Sequence, residues 1–186
     1  MISTLFLPPN NALFILIFLS LYLETVLQKQ VVGIFNALLF SFILPIVAFF
    51  YLRRKGRIVN EDATIKEERT TPYLFGIAFS IAGLILSLFF ALNSVTTSLW
   101  FCYITNVVIL IIINKFWKIS AHAIGVSGPV SVLFFLFGLT GLIFVLVILI
   151  VGWARLKLKV HTPAQVICGS IYGFGMTYLQ LVVYHM

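Results

Sequence analysis

Residues 119–153 read ISAHAIGVSGPVSVLFFLFGLTGLIFVLVILIVGW, an apolar run with one clear punctuation, Gly138-Leu139-Thr140-Gly141. How this run crosses hydrocarbon decides the fold. As one straight helix its 35 residues would measure about 52 Å, well beyond the roughly 30 Å core of a bilayer. A hairpin turning at residues 138–141, with arms of roughly 16 to 19 residues, fits that thickness and is the expected arrangement. The choice has a chemical consequence. A straight helix puts His122 and His161 on opposite membrane faces, whereas a hairpin brings them to the same face.

Outward from this run, further apolar stretches at residues 12–28, 31–52, 73–93, 97–114 and 162–184 meet or approach the length of a membrane span. With the hairpin counted as two, seven segments are expected in an all-α, polytopic transmembrane helix bundle. No polar stretch is long enough to fold by itself, so residues 1–186 are expected to form a single domain. Only 9% of residues are charged and 62% are apolar, against roughly a quarter charged in soluble domains, which excludes a soluble globular chain. Residues 1–11 carry no Lys or Arg before the first apolar run and no small-residue cleavage site. They read as the start of a retained segment rather than a signal peptide.

The net charge of +7 does not point to nucleic acid, because the cations lie between apolar runs and not on a contiguous soluble face. Phospholipid or a phosphorylated substrate suits them better. Arg53, Arg54, Lys55, Arg57, Lys66 and Arg69 follow the second segment, Lys115 and Lys118 the fourth, and Arg155, Lys157 and Lys159 the sixth; only Lys29 lies elsewhere. With the hairpin, all but Lys29 share one face. The positive-inside rule makes that face cytoplasmic in a multi-pass protein of the cell membrane. Cys102 and Cys168 lie in apolar runs and read as packing residues without a disulfide.

Polar and ionisable groups at the edge of a bilayer-embedded bundle are costly to hold there, which makes them functional candidates. Lys118-Ile119-Ser120-Ala121-His122 opens one helix, where free backbone N–H groups and the helix dipole favour an anion. His161-Thr162-Pro163 opens another, with Thr as cap and Pro in the first turn. Two helix starts, two imidazoles and several cations on one face suit a phosphate pocket. The plainer readings stand beside this one: His122 and His161 as packed histidines, Lys66 and Arg69 as part of a solvated loop with Asp62, Glu67 and Glu68, and Lys157 and Lys159 as snorkelling cations. Glu24 reads as an interfacial carboxylate. Gly169, Gly173 and Gly175 suggest close helix packing, while Pro129 with Gly125 and Gly128 suggests a bend after His122. His185 is assigned no role.

Ala154-Arg155, five residues, His161, three residues and Gln165-Val166-Ile167-Cys168-Gly169 together resemble the third signature of the type 2 phosphatidic acid phosphatase superfamily: Ser-Arg, five residues, His, three residues, Asp. Ser120-Ala121-His122-Ala123 is similar to its second signature, Pro-Ser-Gly-His. The resemblance covers roughly residues 53 to 185. It implies a six-helix core over residues 31–185, with residues 12–28 as an extra N-terminal segment. It also implies catalysis without metal or cofactor: His161 attacks phosphorus to give a phosphohistidine, His122 protonates the leaving oxygen, and Arg155 binds phosphate oxygens. Ser120 is expected at the same phosphate. Nucleophile, general acid and charge clamp make physical sense as the minimum for such a transfer.

Two departures stand out. Gln165 occupies the place of the aspartate that orients the nucleophilic histidine, as in the dolichyl pyrophosphate phosphatase branch, whose His-Thr-x-x-Gln-Val pattern this chain repeats. The first signature, Lys, six residues, Arg-Pro, is absent before Ser120. Lys118 and the run Lys66-Glu67-Glu68-Arg69-Thr70-Thr71-Pro72 are its available substitutes, so Lys118, Arg69 and Lys66 are expected phosphate ligands. The expected function is hydrolysis of a lipid phosphate or polyprenyl diphosphate, with membrane lipids as partners and no nucleic acid. The alternatives are a lipid phosphotransferase, or an inactive relative serving as a lipid-binding scaffold. A b-type haem protein with His122 and His161 as axial ligands is a further class, which the neighbouring cations disfavour.

Overall fold

The structure is a computed structural model that describes residues 7–59 and 65–186, without the side chain of Lys66. It is all-helical, with no strand among the described residues. The helices are α1 (Pro8–Leu23), α2 (Leu27–Arg54), α3 (Thr70–Phe89), α4 (Ser94–Phe116), α5 (Ala121–Phe137), α6 (Val145–Lys157) and α7 (Pro163–His185). Hydrocarbon offers no hydrogen bonds to an open backbone, so apolar segments of this length satisfy their N–H and C=O groups internally as helices. Among the described residues, five helical stretches are long and apolar enough to cross a membrane: Leu27–Arg54, Glu67–Phe89, Ser94–Phe116, Ala121–Lys157 and Pro163–His185. Large apolar side chains such as Leu27, Phe89, Phe116 and Ile171 lie exposed on their surfaces. Such surfaces suit lipid and not water, and the chain is a multi-pass integral membrane protein.

The 37-residue stretch Ala121–Lys157 is not straight. At Gly138 the backbone takes φ +60° and ψ −138°, a conformation that glycine alone adopts without strain. A 3-10 turn, Gly138–Phe144, then runs back along α5. A Cβ on Gly141 would lie 2.5 Å from the carbonyl oxygen of Leu133, so the two arms meet backbone to backbone. Seventeen residues of α5 span about 26 Å and the returning arm about 34 Å, both close to the hydrocarbon thickness. The expected hairpin is present, with the reversal at Gly138 and Gly141 already within the returning arm. Gly141→Ala should therefore destabilise the protein by about 1–3 kcal/mol, the range for forcing a methyl into a packed site. Gly76→Ala, at a position with nothing within 4 Å, should not. Thermal unfolding of the detergent-solubilised variants separates the two outcomes.

Contacts divide the chain into two compact units, one of Met1–Asn11 with Trp117–Met186 and one of Ala12–Phe116. In the second unit, Asn36 of α2 donates to the Gly83 carbonyl and the Ser87 hydroxyl of α3, both at 2.9 Å. Gly83 in turn lets the Trp100 ring of α4 approach α3 closely. A π-helical segment, Ala37–Ile43, interrupts α2 just after Asn36. The Glu24 carboxylate accepts from the Asn93 backbone N–H, and Lys29 donates to the Ala91 carbonyl, which tie the α1–α2 turn to the α3–α4 turn. Glu24 is thus a buried carboxylate that holds two turns together at the helix ends.

These bonds also correct the first boundary. The first helix starts at Pro8 and ends at Leu23, and the second starts at Leu27, where apolar content alone suggested 12–28 and 31–52. Proline is well suited to a first helical turn, and the break between α1 and α2 lies where Glu24 turns to Asn93. Cys102 is buried and Cys168 exposed, so only Cys102 packs in an interior; both are free thiols.

In the first unit, α7 packs along α5 through glycines. A Cβ on Gly169 would lie 2.9 Å from the Ser120 carbonyl oxygen and 3.2 Å from the Ala123 Cβ. On Gly173 it would lie 2.7 Å from the Ile124 carbonyl oxygen and 2.8 Å from its Cα. Gly175 has nothing within 4 Å and takes no part in the packing expected of it. Gly152 brings α6 against Val166 of α7. Helix α5 runs through Pro129 without interruption, with Gly125 against Pro8 and Gly128 near the Thr177 hydroxyl.

Candidate active site

The hairpin and the glycine contacts set one end of the first unit. Ser120 caps α5, its hydroxyl accepting from the Ala123 N–H at 3.4 Å. Thr162 caps α7 in a capping box: its hydroxyl accepts from Gln165 N–H at 3.3 Å, and Gln165 Oε1 accepts from Thr162 N–H at 3.1 Å. Each such cap stabilises its helix by about 1 kcal/mol. The Ser120 N–H donates to the Gln165 carbonyl at 3.3 Å, which fastens the two helix starts together. Lys118 Nζ donates to the Val160 carbonyl at 3.0 Å, tying the approach to α5 to the loop that carries His161. Two N-terminal dipole ends therefore share one end of the unit.

His161 Nδ1 lies 3.0 Å from Gln165 Oε1. The Thr162 backbone N–H, a fixed donor on the same atom, identifies that atom as the amide oxygen, an acceptor. His161 Nδ1 must then carry its proton, and in the neutral ring Nε2 holds the lone pair. The neutral amide thus sets the ring orientation and the tautomer, both of which a carboxylate would also set. Only the added negative charge beside an imidazolium is missing.

His161 is 8% exposed and His122, on the first turn of α5, is 6% exposed. Arg155 is buried in the last turn of α6, where the helix dipole favours a cation. An open cleft of about 600 Å³ is lined by Lys118, Leu156, Lys159, Val160, His161, Thr162, Pro163 and Gln165. His122 and Arg155 lie in the same unit but not on the cleft wall. The sequence of this unit contains no Asp or Glu, whereas it holds Lys118, Arg155, Lys157 and Lys159. None of its own side chains is a carboxylate to set against those cations, two of which, Lys118 and Lys159, line the cleft.

The structure brings His122, His161, Arg155, Lys118, Ser120 and Gln165 into one unit. Arg69 and Lys66 belong to the other. There Arg69 is buried at the start of α3 and interacts with the Tyr73 hydroxyl, and the Lys66 side chain lies outside the described residues. A smaller cleft of about 330 Å³ in that unit is lined by Glu67, Thr70, Asn114 and Lys115. The two lysines read as snorkelling stand in different surroundings: Lys157 lies over the Trp153 ring, 4.8 Å from its centroid, and Lys159 is on the cleft wall beside His161. Nothing in the residue types around Lys159 signals this, because the left-handed backbone that puts it there is usually marked by Gly or Asn.

Comparison of the chain with protein families, with curated proteins and with solved structures finds no match in any of the three.

Proposed function

We propose that the protein is a membrane-embedded phosphatase of the type 2 phosphatidic acid phosphatase kind, acting on a lipid phosphate or diphosphate. The observation that carries the reading is the His161–Gln165 hydrogen bond at 3.0 Å, which presents Nε2 as the nucleophilic nitrogen of a histidine on a carboxylate-free, cation-lined cleft. The Nε2 lone pair forms a bond to phosphorus as the bond from phosphorus to the leaving oxygen breaks. His122, entering as imidazolium, gives its proton to that oxygen. Water then attacks phosphorus, His122 takes the water proton, and the N–P bond breaks to release inorganic phosphate and restore both rings. Lys118, on the cleft wall, and the two helix starts stabilise charge on the phosphoryl oxygens, and the buried Arg155 adds its charge from within the same unit. By the positive-inside rule the site faces the cytoplasm.

The assay is phosphate release from short-chain phosphatidate and from a polyprenyl diphosphate by the purified protein in detergent micelles. Gln165→Leu, which removes the acceptor from Nδ1, is expected to lower the rate about 10–100-fold, the usual cost of losing a group that orients a reactive histidine. Gln165→Glu keeps both hydrogen bonds and adds charge, and should match or exceed the parent rate. An unchanged rate in Gln165→Leu contradicts the assignment. The neutral amide itself favours a second reading, a lipid-phosphate-binding protein without turnover. That protein would bind phosphate in the same cleft and release none from any substrate.

A further inference from the structure

We propose that Lys159 is a substrate-binding residue of this cleft, its ammonium group holding a non-transferred oxygen of the phosphate while His161 attacks. The inference rests on the phosphatase reading for its substrate, but it is carried by different observations.

Lys159 has φ +55°, in the left-handed region. It follows the last residues of α6, with Leu158 N–H donating to the Ala154 carbonyl at 3.0 Å and Lys159 N–H to the Leu156 carbonyl at 2.9 Å. This is the position after a helix end where glycine is the common occupant, because a Cβ is strained there. A side chain kept at a strained position by its surroundings often marks a functional demand. Here the left-handed residue reverses the chain at the end of α6, so that Lys159, Val160 and His161 all reach the wall of one cleft. The opposite side of the loop is held by Lys118, whose Nζ is spent on the Val160 carbonyl at 3.0 Å. Lys118 therefore acts as a brace as much as a ligand. Lys159, two residues from the nucleophile, is exposed on the cleft in a unit without a carboxylate side chain. It takes the place of one cation of the absent first signature. Lys157 is the internal contrast, a neighbouring lysine that stands over Trp153 and does not line the cleft.

The test compares the full-length protein in micelles with Lys159→Gly, Lys159→Arg and Lys157→Ala, measuring binding of inorganic phosphate by calorimetry, hydrolysis of dioctanoyl phosphatidate, and thermal unfolding. Lys159→Gly is expected to unfold at the same or a higher temperature, because glycine relieves the left-handed backbone, yet to weaken phosphate binding about tenfold or more and to raise KM in parallel. Lys159→Arg should recover most of the binding, and Lys157→Ala should behave as the parent. Lys159→Gly binding phosphate and hydrolysing phosphatidate as the parent does would overturn the proposal while leaving the phosphatase reading intact. A parent that binds phosphate without hydrolysing any lipid, with binding still lost in Lys159→Gly, would remove the catalytic reading and keep Lys159 as an anion ligand. A parent that binds no phosphate overturns both.

Discussion

His161→Ala is expected to lower phosphate release about ten-thousand-fold or more, the scale on which removal of a nucleophile collapses covalent catalysis. The fold should survive. The α7 cap uses Thr162 and Gln165, whose mutual bonds at 3.1 and 3.3 Å do not involve the imidazole. His122→Ala should behave differently, and the difference tests the role assigned to each ring. A general acid contributes about a hundred- to ten-thousand-fold, and only where the leaving oxygen needs a proton. With p-nitrophenyl phosphate, whose leaving group departs as the anion, the loss in His122→Ala should shrink while the loss in His161→Ala persists. Single-turnover rates of phosphoenzyme formation from a lipid phosphate and from p-nitrophenyl phosphate provide the check, because the later hydrolysis uses His122 as base whichever substrate came before. Equal losses on both substrates in His122→Ala would deny it the acid role.

Gly173→Leu should be the most damaging single change to the fold of the first unit. A Cβ there would lie 2.7 and 2.8 Å from backbone atoms of Ile124, which cannot swing aside as a side chain would. Helices α5 and α7 would have to separate, at a cost of about 3 kcal/mol or more once strain is added to lost packing. The consequence reaches the site, because Ser120 is fastened to the first turn of α7 and Gly169 fits against Ser120 and Ala123 on the same face. Phosphate release should fall with the loss of structure. Gly175→Leu places the same side chain on the same helix where nothing lies within 4 Å and should be tolerated. Unfolding temperature and activity of this pair separate helix packing from a general effect of bulk.

The hairpin was legible because length forces it: a 35-residue apolar run cannot stand straight in about 30 Å of hydrocarbon, and Gly138 was the place to turn. The starts of α5 and α7 were legible for a local reason, since Ser120 and Thr162-Pro163 are cap chemistry independent of the rest of the fold. Other features left no trace in residue type. The π-helical segment Ala37–Ile43 lies inside an unbroken apolar run and changes only the hydrogen-bond period. The first helix boundary depends on Glu24 reaching Asn93, a pairing distant in sequence.

Of the residues picked out by spacing, His161 and Gln165 line the cleft, whereas His122 and Arg155 share its unit without lining it. A hydrogen bond from Gln165 to the His161 ring was legible from its place four residues after the histidine, whereas the second bond to the same oxygen, from the Thr162 N–H in the capping box, was passed over. Lys159 was passed over too. Its place on the cleft is set by a backbone conformation that lysine rarely adopts, and its significance by the absence of acidic side chains in a unit whose limits only the fold reveals.

The most direct measurement traps the phosphoenzyme. The purified protein is mixed with phosphate-labelled dioctanoyl phosphatidate, quenched during turnover in alkali, where a phosphohistidine survives, and digested for peptide mass spectrometry. The account predicts an acid-labile phosphoryl group on His161, absent in His161→Ala and accumulating in Gln165→Leu no faster than in the parent. Turnover with the label on another residue, or turnover with no phosphoenzyme at any time point, would contradict it.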